Sequence, residues 1–194
     1  MAAILGFVLP ARAQLPAPEA LIDSLSSTVL ADIKADTAIQ AGDVDKVLAL
    51  VDAKVMPHVD LRRMTSSALG RYWRQASPQQ RLRLQDEFKR LVLRTYAGAL
   101  TQVTDQTVRL LPRPRAAGDT QAMVRTEIRG HGDPVRIDYR LHQTPAGWKI
   151  YDLSVVGVWL AQNYRNSFAR EIGMNGIDGL IAALAEKNRG AGKP

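Results

Sequence analysis

An α+β fold is predicted by three features of the sequence. Apolar residues recur at helical spacing up to about residue 100, alternate from about 108 to 156, and return to helical spacing afterwards. The alternating stretches are joined by short Gly- and Pro-containing turns, which makes them an antiparallel meander. Each of the first strands has one apolar and one charged face, so helices are expected on one side of a curved four-stranded sheet. The chain has 194 residues, 46% hydrophobic and 23% charged. That is enough for one domain with a sizeable core.

The first residues stand apart from this plan. Met1 to Pro10 are almost wholly apolar, and Ala11-Arg12-Ala13 follows. A short apolar run ending in a small-x-small triplet is the pattern of a secretory signal peptide. Residues 1–13 are therefore read as a signal-peptide remnant, 14–188 as a single domain and 189–194 as a flexible tail. Removing 1–13 takes away one charged residue, Arg12, and lowers the net charge from +7 to +6.

Leu21, Ile22, Leu25, Val29 and Ile33 form the stripe of a first helix that reaches to about Gln40. Asp43 is positioned to cap a second, with Val44, Val47, Leu48 and Val51 inward. Pro57 closes that region. Asp60 caps a short helix through Met64, Ala68 and Leu69 that stops near Gly70. Ser77-Pro78-Gln79-Gln80 is a capping box with Pro at the first helical position. It opens a long helix whose broad apolar face carries Leu84, Phe88, Leu91, Val92, Tyr96 and Leu100.

The four strands are Val108 to Pro112, Ala122 to Arg129, Val135 to His142 and Trp148 to Val156. The last is apolar throughout and is expected to be the most buried. Trp159, Leu160, Tyr164, Phe168 and Ile172 then sit at helical spacing up to Gly173. Asn175 is placed to cap a final helix with Ile177, Leu180, Ile181 and Leu184.

Few catalytic constellations are available. Cysteine is absent, which removes disulfides, thiolate nucleophiles and Cys-based metal sites. There is no Gly-x-Ser-x-Gly, phosphate-cradling glycine loop, dinucleotide fingerprint or His-Glu-x-x-His. His131 and Asp133 fall in a turn, His142 lies on the polar face of a strand and is expected to meet water, and His58 follows Pro57. Asp138 is out of phase with the apolar face. Asp152 is the one carboxylate that could point inward as an acid or base, although a hydrogen-bonding role at a strand end is the plainer reading. The basic residues are spread over nearly every element, and aromatics are only 6%. A nucleic-acid surface would cluster both.

The stretch Trp148 to Phe168, with Val155-Val156-Gly157-Val158-Trp159 at its centre, resembles the signature of the MlaC family of periplasmic phospholipid carriers, also known as the toluene-tolerance or ABC-transporter auxiliary family. Pro57-His58-Val59-Asp60, Ala68 to Gln80, Phe88-Lys89-Arg90-Leu91, Arg94-Thr95-Tyr96-Ala97 and Gly176 to Ile181 match in order along the chain. Val156 and Trp159 depart from the family, which often has an acidic residue and a small hydroxyl residue there.

The resemblance implies an α+β cone, like that of nuclear-transport-factor proteins, with an internal apolar cavity. It implies a monomeric, periplasmic, non-enzymatic carrier with no cofactor beyond its transported phospholipid. Its partners would be an outer-membrane lipoprotein–porin complex and an inner-membrane ABC transporter with a lipid-binding substrate protein. Under this reading the acyl chains would meet Leu91, Val92, Tyr96, Val124, Ile128, Ile137, Tyr139, Leu141, Leu153, Val155, Val158, Leu160, Tyr164 and Phe168, with Arg165 at the mouth. Each of these, taken singly, is more often an ordinary core residue. Two alternatives stay open: a small-molecule enzyme of the same cone using Asp152, and a basic partner-binding module without a cavity.

Overall fold

The computed structural model describes residues 17–190 apart from Arg115, Ala117 and His131. The expected leader at 1–13 therefore lies outside the described residues. Six helices and five strands follow in the order α1 (Pro18–Ala35), α2 (Thr37–Gln40), α3 (Val44–Lys54), α4 (Leu61–Leu69), α5 (Pro78–Leu100), β1 (Thr107–Leu111), β2 (Gln121–Arg129), β3 (Val135–Thr144), β4 (Gly147–Val155), β5 (Val158–Trp159) and α6 (Leu160–Gly190). Short 3₁₀ turns at Met56–His58 and Gly70–Arg74 lead into and out of α4.

The caps at Asp43, Asp60 and Ser77 fall where the sequence places them, because each satisfies backbone N–H groups that a helix start leaves orphaned, whereas Asn175 stays inside α6 and donates to Glu171. Asp43 accepts from the Lys46 N–H and Asp60 from the Arg63 N–H. Ser77 and Gln80 close the reciprocal capping box of α5. The first helical stretch is divided: α1 ends at Ala35, and Asp36 caps α2 by accepting from Ala38 and Ile39.

The sheet is an antiparallel meander in the order β1-β2-β3-β4-β5. The expected four strands are thus joined by a fifth. Val158 and Trp159 pair back onto Val155 and Ser154 through a two-residue turn at Val156-Gly157, where the helical spacing of Trp159, Leu160 and Tyr164 masks a strand. Both turn residues are left-handed, Val156 at φ 51 and Gly157 at φ 84. A tight hairpin demands this conformation, which glycine adopts freely and a β-branched residue does not. A register shift between Arg140 and Leu141 places Tyr151 as an extra residue in β4.

α6 runs to Gly190, two residues into the segment expected as a tail. The break expected at Gly173 to Asn175 occurs instead at Gly176, whose φ of 72 no helix residue adopts.

The alternation of the strands sets what the sheet presents. Val124 faces Tyr139 and Tyr139 faces Leu153 across the ladder, while Arg125 faces Asp138 and Asp138 faces Ser154. One side is therefore apolar and the other ionic. α1 packs on β1 and β2, α4 and α6 pack on β4, and α5 packs on α3, α4 and α6.

The buried apolar residues form three clusters. One joins α4, α5 and α6 around Leu84, Phe88, Leu91, Phe168 and Ile181. A second joins α1 to the sheet through Ile22, Val124, Leu141 and Ile150. The third joins α1, α2, α3 and α5 through Ile33, Ile39, Val47 and Ala97. The Phe88 ring is fully buried and meets Tyr164 and Phe168 edge-on, at 5.2 and 5.4 Å between centroids. Burial of such a ring contributes about 1.5–3 kcal/mol, and each edge-on pair about 0.5–1.5 kcal/mol more.

Candidate functional site: the divided apolar interior

A domain of this size usually closes around one contiguous core. Here several apolar side chains enter none of the three clusters. Ile128, Ile137, Leu153 and Val155 lie together on the apolar side of the sheet, since Ile137 faces Val155 and Tyr139 faces Leu153. All four are only half-buried. Tyr96 of α5 is also half-buried and joins no cluster. Apolar surface directed inward but not covered by the protein's own side chains is what a bound apolar molecule can cover.

The sequence-predicted residues divide accordingly. Leu91, Val92, Tyr164 and Phe168 pack in the α4–α5–α6 cluster. Val124, Leu141 and Tyr139 belong to the α1–sheet cluster. Leu160 is fully buried at the start of α6. Val158 sits on the hairpin with 53% of its surface exposed. Arg165 is exposed, and its guanidinium donates twice to the Ser67 carbonyl at 2.6 and 3.2 Å, tying α6 to α4.

The tyrosines supply the polar features of this interior. The Tyr139 hydroxyl lies between the side chains of Thr126 and Ser26, linking β3 to β2 and α1. Burial pushes its pKa above the ordinary 10.0, against those two hydrogen bonds. Burial also raises the pKa of Tyr96, with a further push from the neighbouring Tyr164.

Asp152 does not face this interior. Its Oδ1 accepts from the backbone N–H groups of Leu153 and Ala161, and its Oδ2 accepts from Arg140 at 3.2 Å. It caps the start of α6 from β4, the strand-end role that its chemistry favours. Burial raises its pKa above 3.8, more than Ala161 and Arg140 lower it. Asp138 lies on the ionic face, as its phase requires, 3.6 Å from Arg125 and 3.8 Å from Arg136.

Several arrangements escaped sequence reasoning. The Arg140 guanidinium lies 3.7 Å over the Trp159 ring. His142 is half-buried, not water-facing: its Nε2 is 2.9 Å from Asp60 Oδ2 and its ring meets Tyr151 edge-on. Arg63 stacks 3.8 Å over the other partner of this group, the Tyr151 ring. Ser26 carried a usable signal, because it stands four residues after Ile22 on the inward stripe of α1. His131 lies outside the described residues. Among the described residues no group of three His, Asp or Glu is placed to hold a metal ion, and no helix is long and apolar enough to cross a membrane.

The fold defines a class: α+β proteins whose helices pack on a five-stranded antiparallel meander. The chain belongs to the MlaC family, whose model, described as MlaC protein, matches residues 23–186.

Among curated proteins, it is 25% identical over 182 residues to the toluene tolerance protein ttg2D of Pseudomonas putida, covering 90% of this chain and 84% of that one. It is 24% identical over 173 residues to the intermembrane phospholipid transport system binding protein MlaC of Haemophilus influenzae, covering 87% and 81%. Among solved structures, a phospholipid-binding protein from Ralstonia solanacearum in complex with a phospholipid superposes with a TM-score of 0.87. That match has 43% identity and covers 90% of this chain and 98% of that one.

Proposed function

We propose that this protein is an exported, monomeric phospholipid carrier of the periplasm. It takes lipid at an outer-membrane lipoprotein–porin complex and exchanges it with an inner-membrane ABC transporter bearing a lipid-binding substrate protein, so maintaining the asymmetry of the outer membrane. The observation that carries this reading is the likeness, at 43% identity and a TM-score of 0.87, to a protein solved with phospholipid bound. The half-buried patch of Ile128, Ile137, Leu153 and Val155 supports it independently.

The energetics account for the absence of a reaction. Two acyl chains carry roughly 30 methylenes worth about 0.8 kcal/mol each on burial, about 24 kcal/mol in all. A carrier that left many of them in water would lose its cargo to any bilayer. The tails must therefore be enclosed almost fully, against Tyr96, Leu153 and their neighbours, Leu91, Val92, Tyr139 and Tyr164 among them. Transfer between two apolar media breaks no bond and needs no cofactor. Arg165, beside α4, stands at the mouth.

Organic-solvent extraction of the purified protein followed by mass spectrometry tests the reading. One or more phospholipids per protein are expected, together with uptake from liposomes. No lipid and no uptake by a folded preparation overturn it.

A further inference from the structure

Among the described residues, three of the exposed large apolar side chains meet at one end of the sheet: Val135, Val156 and Val158, at 37%, 68% and 53% of their surface. Val135 opens β3, and Val156 and Val158 flank Gly157 in the β4–β5 hairpin. The Val156 N–H donates to the Arg136 carbonyl at 2.9 Å, which sets the hairpin beside the start of β3. Leu82 and Met174, also exposed, lie elsewhere on α5 and α6. Scattered surface apolar residues need no explanation, but a cluster marks a contact surface.

The register joins this cluster to the interior. Residues paired directly across an antiparallel ladder share a face. Val135 pairs with Ile128, and Val155 pairs with both Ile137 and Val158. Val135 and Val158 therefore extend the half-buried patch of Ile128, Ile137 and Val155 outward, and one apolar strip runs to the end of the sheet. The apex of the hairpin is held there under strain. Val156 sits at φ 51, where Asn or Gly would relax the turn but remove the exposed apolar side chain. Such strain concentrates at functional positions. Trp159 pairs with Ser154 and so lies on the ionic face, where the Arg140 guanidinium covers its ring at 3.7 Å. An aromatic ring with a polar cover suits the headgroup level of a membrane.

We propose that this end of the sheet is a membrane-contacting tip. Val135, Val156 and Val158 enter the surface of a phospholipid bilayer, with Trp159 and Arg140 at headgroup level. The inference rests on the carrier reading, which assigns the adjoining patch to acyl chains. The strip gives a tail an apolar path between that patch and the bilayer. A partner protein fits the tip less well, because a stable protein interface takes about 800 Å² and roughly 20–30 residues from each side. A bilayer sets no such minimum, since binding grows with whatever apolar area enters it.

Flotation of the full chain with vesicles of phosphatidylethanolamine and phosphatidylglycerol in about 1 M sodium chloride tests this. The screening length is then about 3 Å, so attraction through the net charge of +7 is suppressed while apolar insertion persists. Binding that survives the salt supports the tip if it falls about fivefold in Val156→Asn and at least tenfold in the double variant Val156→Asp, Val158→Asp. Val156→Asn relaxes the turn, so its loss of binding is not a loss of folding, and it decides the matter where the double variant fails to fold by circular dichroism. No flotation at high salt, or flotation unchanged in Val156→Asn, overturns the proposal. Solvent extraction of the same wild-type preparation separates the two readings. Salt-resistant flotation of a chain that carries no lipid supports the tip and overturns the carrier reading, whereas a lipid-loaded chain that does not float overturns the tip alone.

Discussion

Two leucines one strand apart test the proposed division between core and cargo surface. Leu141 is fully buried between α1 and the sheet. Leu141→Ala deletes three carbons, worth roughly 2.4 kcal/mol of transfer free energy, and the space left behind raises the cost to about 3–4 kcal/mol. Leu153 is half-buried and enters no cluster. In the lipid-free protein the carboxylate of Leu153→Asp keeps much of its water, so the expected cost is only about 1 kcal/mol. Once a tail covers position 153, that carboxylate loses its hydration at a cost of several kcal/mol. Loading in competition with liposomes is therefore expected to fall by at least 100-fold, which corresponds to about 2.7 kcal/mol. Urea unfolding of delipidated protein gives the first quantity, and lipid-to-protein ratio by mass spectrometry the second. Leu141→Ala is expected to load normally for each folded molecule. Normal loading of a folded Leu153→Asp variant, or a cost below 1 kcal/mol for Leu141→Ala, would refute the division.

Other substitutions test the supports of this interior. Val156 holds φ 51 with 68% of its surface exposed, so Val156→Asn should raise stability by about 1 kcal/mol, read as a higher melting temperature. Asp152→Ala leaves the Ala161 and Leu153 N–H groups and Arg140 without their acceptor; a loss of about 2–4 kcal/mol in urea unfolding is expected. Because the folded-state pKa of Asp152 is raised above 3.8, the folded protein binds this proton more tightly than the unfolded chain does. Its contribution to stability is whole below 3.8 and lost as pH rises through the folded value, and Asp152→Asn should flatten the stability–pH curve in that window. Tyr139 should ionise above 10.0 in an alkaline absorbance titration of the folded protein, a late component absent from Tyr139→Phe. An unshifted titration would count against its burial between α1 and the sheet.

Much of this organisation was legible in the sequence wherever one local rule decided the outcome. Asp43, Asp60 and the Ser77–Gln80 box announce helix starts because a short polar side chain before an apolar stripe has few other uses. The alternation of Ala122, Val124, Thr126 and Ile128 set the faces of the sheet before any pairing was known. The fifth strand was hidden because two residues carry no period, and Val156 is the residue type least suited to the turn that creates it. Asp152 was ambiguous for a related reason: the extra residue at Tyr151 shifts the phase of β4, and only pairing reveals such a bulge. The partition of Leu141 from Leu153 lay beyond sequence altogether. Both are leucines in apolar phase on neighbouring strands, and their difference is set by whether α1 arrives to cover them.

The division of the interior into three clusters bears on how such a vessel changes size. Each cluster has its own buried members, and at the seams between them lie side chains such as Val59, which packs against two clusters, and Leu153, which enters none. The walls can therefore part along the seams by small sliding movements while every strand and helix keeps its backbone hydrogen bonds. A rigid box would fix one acyl length. If the protein carries lipid as proposed, a seamed one is expected to expand for a longer chain and settle inward when empty, at the cost of loosened side-chain contacts and not of unfolding.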